Sequence, residues 1–334
     1  MAATTSIRRY IPGLLVALFA LMAPFLVTST SLTLLTTVGI TAIVTLGMIF
    51  IIGNTGLVSL GHAALTATGA YTLAILANHT GLAWYVGLGL SAVAGGFVGL
   101  IVALPSLRVR GPYFAIITII LGFSVPQVVN LGSEYTGGEF GIYVNQIVFP
   151  GLGPVPSTYF LVVTILLAAM WFFSNVQRSE WGRALHVVRT HPVAATAAGL
   201  NAFRLQTIGV TLGNVLAGLA GGLLALHVGG VTPADFSLQA STIYLIAAVV
   251  GGTHSVYGAI VGAGVVELTL NALAGESYYA NIVLGVILMV SLALLPNGLT
   301  ELFRTVREAI SYRFRTVSKD HFADTRKIEA DVQE

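Results

Sequence analysis

Apolar runs of about twenty residues, separated by short polar breaks, fill most of this 334-residue chain. A run of that length is what a helix needs to cross a hydrocarbon core of about 30 Å at 1.5 Å per residue. Ten runs are read, at roughly 11–28, 32–53, 57–77, 84–104, 113–131, 158–175, 205–226, 239–253, 255–275 and 279–296. The eighth is short and is joined to the ninth only through Gly251, Gly252, Thr253 and His254, so the pair reads either as two crossings or as one re-entrant hairpin. The third holds Ser59, Gly61, His62, Thr66, Thr68 and Gly69, which predicts a broken helix. The expected fold is all-α, a polytopic helical membrane protein with about 8–10 transmembrane helices.

Polar patterning at two places departs from this. Residues 177–204 form a hydrophilic stretch with four arginines, patterned as short helices and far longer than a helical hairpin needs. Within it Trp181, Leu185 and Val188 share one helical face, and Pro192 suits the first turn of a second short helix capped by Thr190 or His191. Ala194, Ala195 and Ala198 make a small-residue face that ends at Gly199. After the last run, Leu299, Phe303, Val306, Ile310 and Phe314 recur at helical spacing among arginines and glutamates, as in a helix lying on a membrane surface. The chain therefore divides into a transmembrane domain over 1–298, including the 177–204 loop, and an amphipathic helix with a flexible tail over 299–334.

Charge orients the spans. With the N-terminus inside, Arg8, Arg9, Arg108, Arg110, Arg178, Arg183, Arg189 and Arg204 all fall on the cytoplasmic side. So do Arg304, Arg307, Arg313, Arg315, Lys319, Arg326 and Lys327, and only acids such as Glu134, Glu139, Asp235 and Glu276 remain for the outer loops. Both termini are expected in the cytoplasm, with the protein multi-pass in the plasma membrane. Arg8-Arg9 before an apolar run also resembles a signal peptide, but the first run reads as an uncleaved helix.

Composition agrees and narrows the chemistry. Hydrophobic residues are 56% and charged residues 8%, against about 25% charged in soluble domains. A net charge of +2 gives no ground for a nucleic-acid partner, and the absence of cysteine excludes thiol chemistry. The only lysines, Lys319 and Lys327, do not follow glycine, so no phosphate-binding G-x-x-x-x-G-K-[ST] loop exists. The seven histidines form no H-E-x-x-H pattern, so neither an enzyme nor a metal site is indicated. What remains is a transport subunit powered elsewhere, or a self-contained carrier in which Glu267 serves as an ion site. Asn271, one turn on, is positioned to bond Glu267, which reads otherwise as a plain helix–helix hydrogen bond. His62 reads either as a substrate contact or as bonded to a neighbouring carbonyl.

Several blocks together carry a resemblance. Gly53–Tyr71 (G-N-T-G-L-V-S-L-G-H-A-A-L-T-A-T-G-A-Y), Arg110–Thr118 and Thr136–Ile142 are followed by Trp181–Arg189 with Ala194–Gly199. Ala217–Ala225, Val231–Ser237 and Val249–Ala263 complete the order. From about Gly53 to Arg304 the chain resembles the LivM-type permease subunit of branched-chain amino acid ABC importers. It departs from that pattern at Thr190, His191 and Pro192, at Val193 before Ala194, and at Leu57.

The resemblance implies an ATPase-coupling loop in which Arg178, Glu180, Trp181, Gly182, Arg183, Leu185, Arg189, Pro192, Ala194, Ala195 and Gly199 serve docking, with Arg183 and Arg189 reaching acidic groups of the partner. It implies two soluble ATPase subunits that hold ATP and magnesium, a paralogous permease and an extracytoplasmic substrate-binding protein. This chain itself needs no cofactor. A substrate path is expected along Ser59, Gly61, His62 and Thr66, then Tyr113 and Thr118. Thr136, Gly137 and Gly138 read as an amide nest for a carboxylate or as an outer-loop turn, and Glu267 is the remaining ionisable candidate. The expected cargo is a branched-chain amino acid, with urea or short-amide permeases sharing the same pattern.

Overall fold

The computed structural model describes residues 24, 27–107, 113–253, 255–274, 277–294 and 298–300. Arg8, Arg9, Arg108, Arg110, most of the first apolar run and the amphipathic stretch from Phe303 onward lie outside the described residues. Helices α1 (Ser29–Thr55), α2 (His62–Thr80), α3 (Trp84–Ser106) and α4 (Tyr113–Leu131) come first. A connection follows with the short α5 (Ser133–Thr136), a 3-10 turn at Gly138–Phe140 and strand β1 (Ile142–Tyr143). Then come α6 (Pro154–Arg178), two short helices α7 (Glu180–Thr190) and α8 (Pro192–Ala197), and α9 (Ala202–Val228). Strand β2 (Gly230–Val231), a 3-10 turn at Pro233–Phe236, α10 (Leu238–Gly251), α11 (Gly258–Ala272) and α12 (Ser277–Leu294) complete the order.

Among the described residues five helices, α1, α3, α4, α6 and α9, are long and apolar enough to cross a membrane. The chain is a polytopic helical membrane protein. α1 and α9 form the centre: 78% and 67% of their apolar windows are buried, against 28% for α4, which packs on one side only. α9 lies against α3, α2 and α1. Small residues make this possible, because apolar attraction between helices is weak where lipid is equally apolar and close backbone packing replaces it. A Cβ on Gly69 would overlap the Gly218 carbonyl, and one on Gly95 would meet the Gly218 Cα, so α2, α3 and α9 meet at backbone distance. The Ser91 hydroxyl of α3 ties the seam by donating to the Gly69 carbonyl at 2.8 Å.

At one end of the bundle a two-stranded antiparallel ribbon pairs Ile142 with Val231 and Tyr143 with Gly230, clasping two connections together. Asn78 at the end of α2 donates to the Tyr143 carbonyl at 2.7 Å. At the other end lie α7 and α8.

The eighth and ninth runs form a hairpin. α10 has 14 residues and α11 has 15, about 21 and 22 Å at 1.5 Å per residue, less than a hydrocarbon core of about 30 Å. They meet closely at Gly251 and Gly258, and their connecting turn rests Thr253 against Gly53 of α1. Thr300 donates to the Gly251 carbonyl at 2.8 Å, and Leu299 packs on the α10–α12 apolar cluster.

Candidate functional site: a docking end and a buried polar break

α6 ends at Arg178 because Ser179 takes an extended conformation and caps α7, its hydroxyl accepting from the Gly182 N–H at 3.2 Å. Glu180 in the first turn suits the positive end of the helix dipole. Gly182 sits so near the Val176 and Gln177 carbonyls of α6 that a side chain there would collide. The apolar face expected from the sequence turns inward: Leu185 and Val188 are buried, and Trp181 stacks on Phe50 of α1 with ring centroids 6.5 Å apart and planes 20° apart. Trp181 is thus an anchor to its own bundle.

Arg189 is turned inward too, contrary to the expectation that it reaches a partner. Its guanidinium donates to the Gly53 carbonyl in the last turn of α1. The physical reason is the helix end. Gly56, at φ +74, closes α1 by donating to Ile52, and the Leu57 N–H goes to the Thr55 hydroxyl at 3.3 Å, which leaves the Gly53 carbonyl for another donor. Arg183 points outward: its side chain is 65% exposed, 3.8 Å from Glu180, and it donates to the Arg178 carbonyl at 2.8 Å.

Pro192 occupies the first turn of α8, but neither expected cap forms. The His191 side chain makes no capping bond, and Thr190 donates back to the His186 carbonyl at 2.8 Å. The caps come instead from Ser179 before α7 and from Asn201, which accepts from Arg204 at 3.0 Å before α9. α8 closes on Gly199, φ +78, with Leu200 N–H donating to Ala195 and Gly199 N–H to Thr196. Ala195 is buried while Ala194 and Ala198 stay open, so the three alanines do not form one exposed face. Between α1, α6, α7 and the α10–α11 turn lies an open groove of ≈ 430 Å³, lined by Asn54, Gln177, Arg183, His186 and Val187 among others. Gln177, His186 and Val187 were passed over in the sequence because an exposed helix face carries no periodic signal of its own.

Residues 57–61, directly after α1, are not helical, and α2 begins only at His62. The third run is thus non-helical only at its start, and Thr66, Thr68 and Gly69 lie within the unbroken helix His62–Thr80. The Leu60 N–H donates to the Thr118 hydroxyl of α4 at 3.0 Å, and Gly61 touches the Thr118 carbonyl, where any Cβ would overlap. The Ala63 N–H donates to Ser241 of α10 at 3.0 Å, and Thr66 donates to the His62 and Ala63 carbonyls. Ser59 and His62 are fully buried, yet neither the Ser59 hydroxyl nor either ring nitrogen of His62 has a hydrogen-bond partner. His62 therefore does not bond a carbonyl. An unmet buried polar group costs roughly 1–3 kcal/mol, so three such atoms at one helix start mark a place where polar contacts are missing in this conformation. The arrangement brings Ser59, Gly61, His62, Thr66 and Thr118 together.

The other candidates lie apart. Tyr113 is half exposed at the start of α4. Thr136 donates to Val129, and the Gly137 and Gly138 amides are engaged by the Ser133 carbonyl and the Thr136 hydroxyl, so the segment is a closed turn and not an open amide nest. Glu267 accepts from Thr41 of α1 at 2.6 Å. The sequence pointed to Asn271, four residues on, but that side chain is exposed and Thr41 takes its place. Among the described residues no group of three or more histidines or acids converges.

Residues 30–292 match the family described as the permease component of branched-chain amino acid transport systems. The chain is 28% identical over 266 residues to the high-affinity branched-chain amino acid permease LivM of Escherichia coli, covering 71% of this chain and 62% of that protein. It spans that same share, 62%, of the LivM protein of Salmonella typhimurium. It is also 31% identical over 154 residues to the fructose import permease FrcC of Rhizobium meliloti, 43% of this chain and 42% of the relative. The Escherichia coli ribose import permease RbsC is 26% identical over 215 residues, 61% of this chain and 65% of the relative. Because the family match takes in well over half of its length, from the start of α1 nearly to the end of α12, the chain belongs to the family of permease components of branched-chain amino acid transport systems.

Proposed function

We propose that this chain is the transmembrane permease subunit of an ATP-driven importer that carries branched-chain amino acids by alternating access. The observation that carries the reading is a mechanical connection. α7 is fastened to the last turn of α1 by Arg189 on the Gly53 carbonyl and by Trp181 on Phe50. Three residues after Gly53 that helix ends at Gly56, and the chain enters the break that leads to the unpartnered Ser59 and His62. A push on α7 is therefore passed as rigid-body motion to the segment holding the buried polar groups.

In this reading α7 and α8 face the cytoplasm and dock one of two soluble ATPase subunits, with Arg183, His186, Val187, Val193 and Ala194 presented outward. The ATPases hold ATP and magnesium, and this chain hydrolyses nothing. A second permease completes the pathway, and an extracytoplasmic binding protein delivers the cargo to the end carrying the β ribbon. The termini lie in the cytoplasm and the bilayer is a bacterial inner membrane. Movement of the 57–61 break toward the pathway gives Ser59 and His62 the polar partners they lack, with the positive end of the α2 dipole near a carboxylate.

Fructose and ribose permeases are among the relatives, so cargo class is the point to test. The complex is reconstituted in proteoliposomes with its ATPases and binding protein, and uptake of leucine, valine, ribose and fructose is measured with ATP hydrolysis. ATP-dependent uptake of leucine and valine is expected. Uptake of a sugar alone would overturn the amino-acid assignment, and ATP-independent uptake would overturn the importer assignment.

A further inference from the structure

A second cavity lies away from the break, on the opposite face of α2. It has a volume of ≈ 400 Å³, within the range of about 300–1,000 Å³ usual for small-molecule sites. α2 gives it Ala64, Ala67, Thr68, Tyr71, Thr72 and Ile75, which recur at three- and four-residue steps as one helical face. The far wall is α4, through Leu121, Ser124, Val125, Val128 and Val129, with Val98 of α3 at the side and Thr136 above.

The polar inventory of this groove is specific. Thr68 donates to the Ala64 carbonyl at 2.9 Å, Thr72 to Thr68 at 2.7 Å, Ser124 to Ile120 at 2.8 Å, and Thr136 to Val129 at 2.7 Å. Each of these hydroxyls has spent its proton on its own backbone, so what it offers the groove is an oxygen lone pair. Tyr71 is the exception. It is 6% exposed, and its hydroxyl is buried without a hydrogen-bond partner, a donor with nothing to donate to. Its ring is held against Phe236 with centroids 6.2 Å apart, so it is not free to turn toward solvent. Among the described residues no aspartate, glutamate, lysine, arginine or histidine lines the cavity, although the Asp235 carboxylate is near enough to act electrostatically on the Tyr71 hydroxyl.

We infer that this groove between α2, α3 and α4 is a binding site for a small zwitterion with an apolar body, the Tyr71 hydroxyl donating to its carboxylate and the hydroxyl oxygens of Thr68, Thr72 and Ser124 accepting from its ammonium. This rests on the amino-acid reading above and adds a site for the cargo on this chain. The aliphatic wall of Leu121, Val125, Val128 and Val129 takes the side chain. A polyol would bury hydroxyls against that wall without partners, and a ligand with net negative charge would meet the field of the Asp235 carboxylate with no cation among the described lining residues; both are unfavourable. The groove therefore selects leucine-like cargo over ribose and over glutamate.

The test uses the complete importer in proteoliposomes, with leucine and ribose as probes. Tyr71→Phe keeps the ring and removes the donor, and Thr68→Val keeps the shape and removes an acceptor. Each is expected to lower leucine uptake roughly three- to tenfold per assembled complex, the effect of one hydrogen bond. The chain has no cysteine, so Ser124→Cys supplies a single thiol in the groove; leucine slows its modification by a membrane-permeant thiosulfonate and ribose does not. Wild-type leucine uptake in both hydroxyl variants together with an unprotected thiol overturns the groove site and leaves the importer reading standing. A wild-type complex that carries ribose and not leucine overturns the amino-acid reading and the ligand class of the groove together.

Discussion

The Arg189 guanidinium donates to the main-chain carbonyl of Gly53, 136 residues away, and so joins a short surface helix to the end of a buried one. Helix carbonyls in the last turn lack intrahelical donors, and a cation there also complements the helix dipole. Arg189→Ala removes both effects while leaving the exposed face of α7 intact. ATP hydrolysis by the assembled complex is expected to continue, with leucine uptake per ATP falling about tenfold. Parallel uptake and hydrolysis assays on one preparation check this. Equal loss of both activities would mean that Arg189 serves assembly and not transmission.

Gly61 is required by the close approach to Thr118. Gly61→Ala is expected to lower stability by roughly 1–3 kcal/mol through overpacking, seen as a reduced thermal midpoint in detergent. Gly89→Ala, at a position with no neighbour within 4 Å, is the control and leaves the midpoint unchanged or slightly raised. An unshifted Gly61→Ala midpoint would contradict the described contact.

Glu267 is bonded by Thr41 and is assigned no role in coupling. Glu267→Gln retains an acceptor oxygen for Thr41 and is expected to leave uptake within twofold of wild type, insensitive to a protonophore when ATP is supplied. Loss of uptake in Glu267→Gln, or collapse of uptake with the proton gradient, would revive the ion-coupled alternative.

Ser179 caps α7, and Ser179→Ala is expected to weaken that helix by about 0.5–2 kcal/mol. Hydrogen exchange at the amides of residues 181–184 should speed up by roughly three- to thirtyfold, with exchange in α1 and α9 unchanged.

Much of this was legible from residue pattern because its causes are local. Among the described residues the apolar runs coincide with helices to within a few residues at most ends, and the cluster of Ser59, Gly61 and His62 marks the non-helical stretch before α2. The inward face of α7 followed from the spacing of Trp181, Leu185 and Val188. What was not legible depends on partners distant in the chain. Arg189 read as outward because arginines on a hydrophilic loop usually are, and nothing near it announces a free carbonyl at Gly53. Asn271 reads as the partner of Glu267 because it lies one turn away on the same helix, whereas Thr41, which bonds it, comes from α1. The Tyr71 groove has no signature at all, since it exists only where faces of three helices diverge.

Crosslinking shows whether α7 and α8 meet an ATPase. Val193 on α8 is 84% exposed, Tyr143 at the opposite end is 86% exposed, and the chain is free of cysteine. Val193→Cys and Tyr143→Cys are each treated with a short cysteine-to-lysine crosslinker in native membranes, and the joined partner is identified by mass spectrometry. The account predicts that Val193→Cys captures the ATPase subunit, with a yield that changes on adding ATP, and that Tyr143→Cys does not. Capture of the ATPase from Tyr143→Cys and not from Val193→Cys would contradict it.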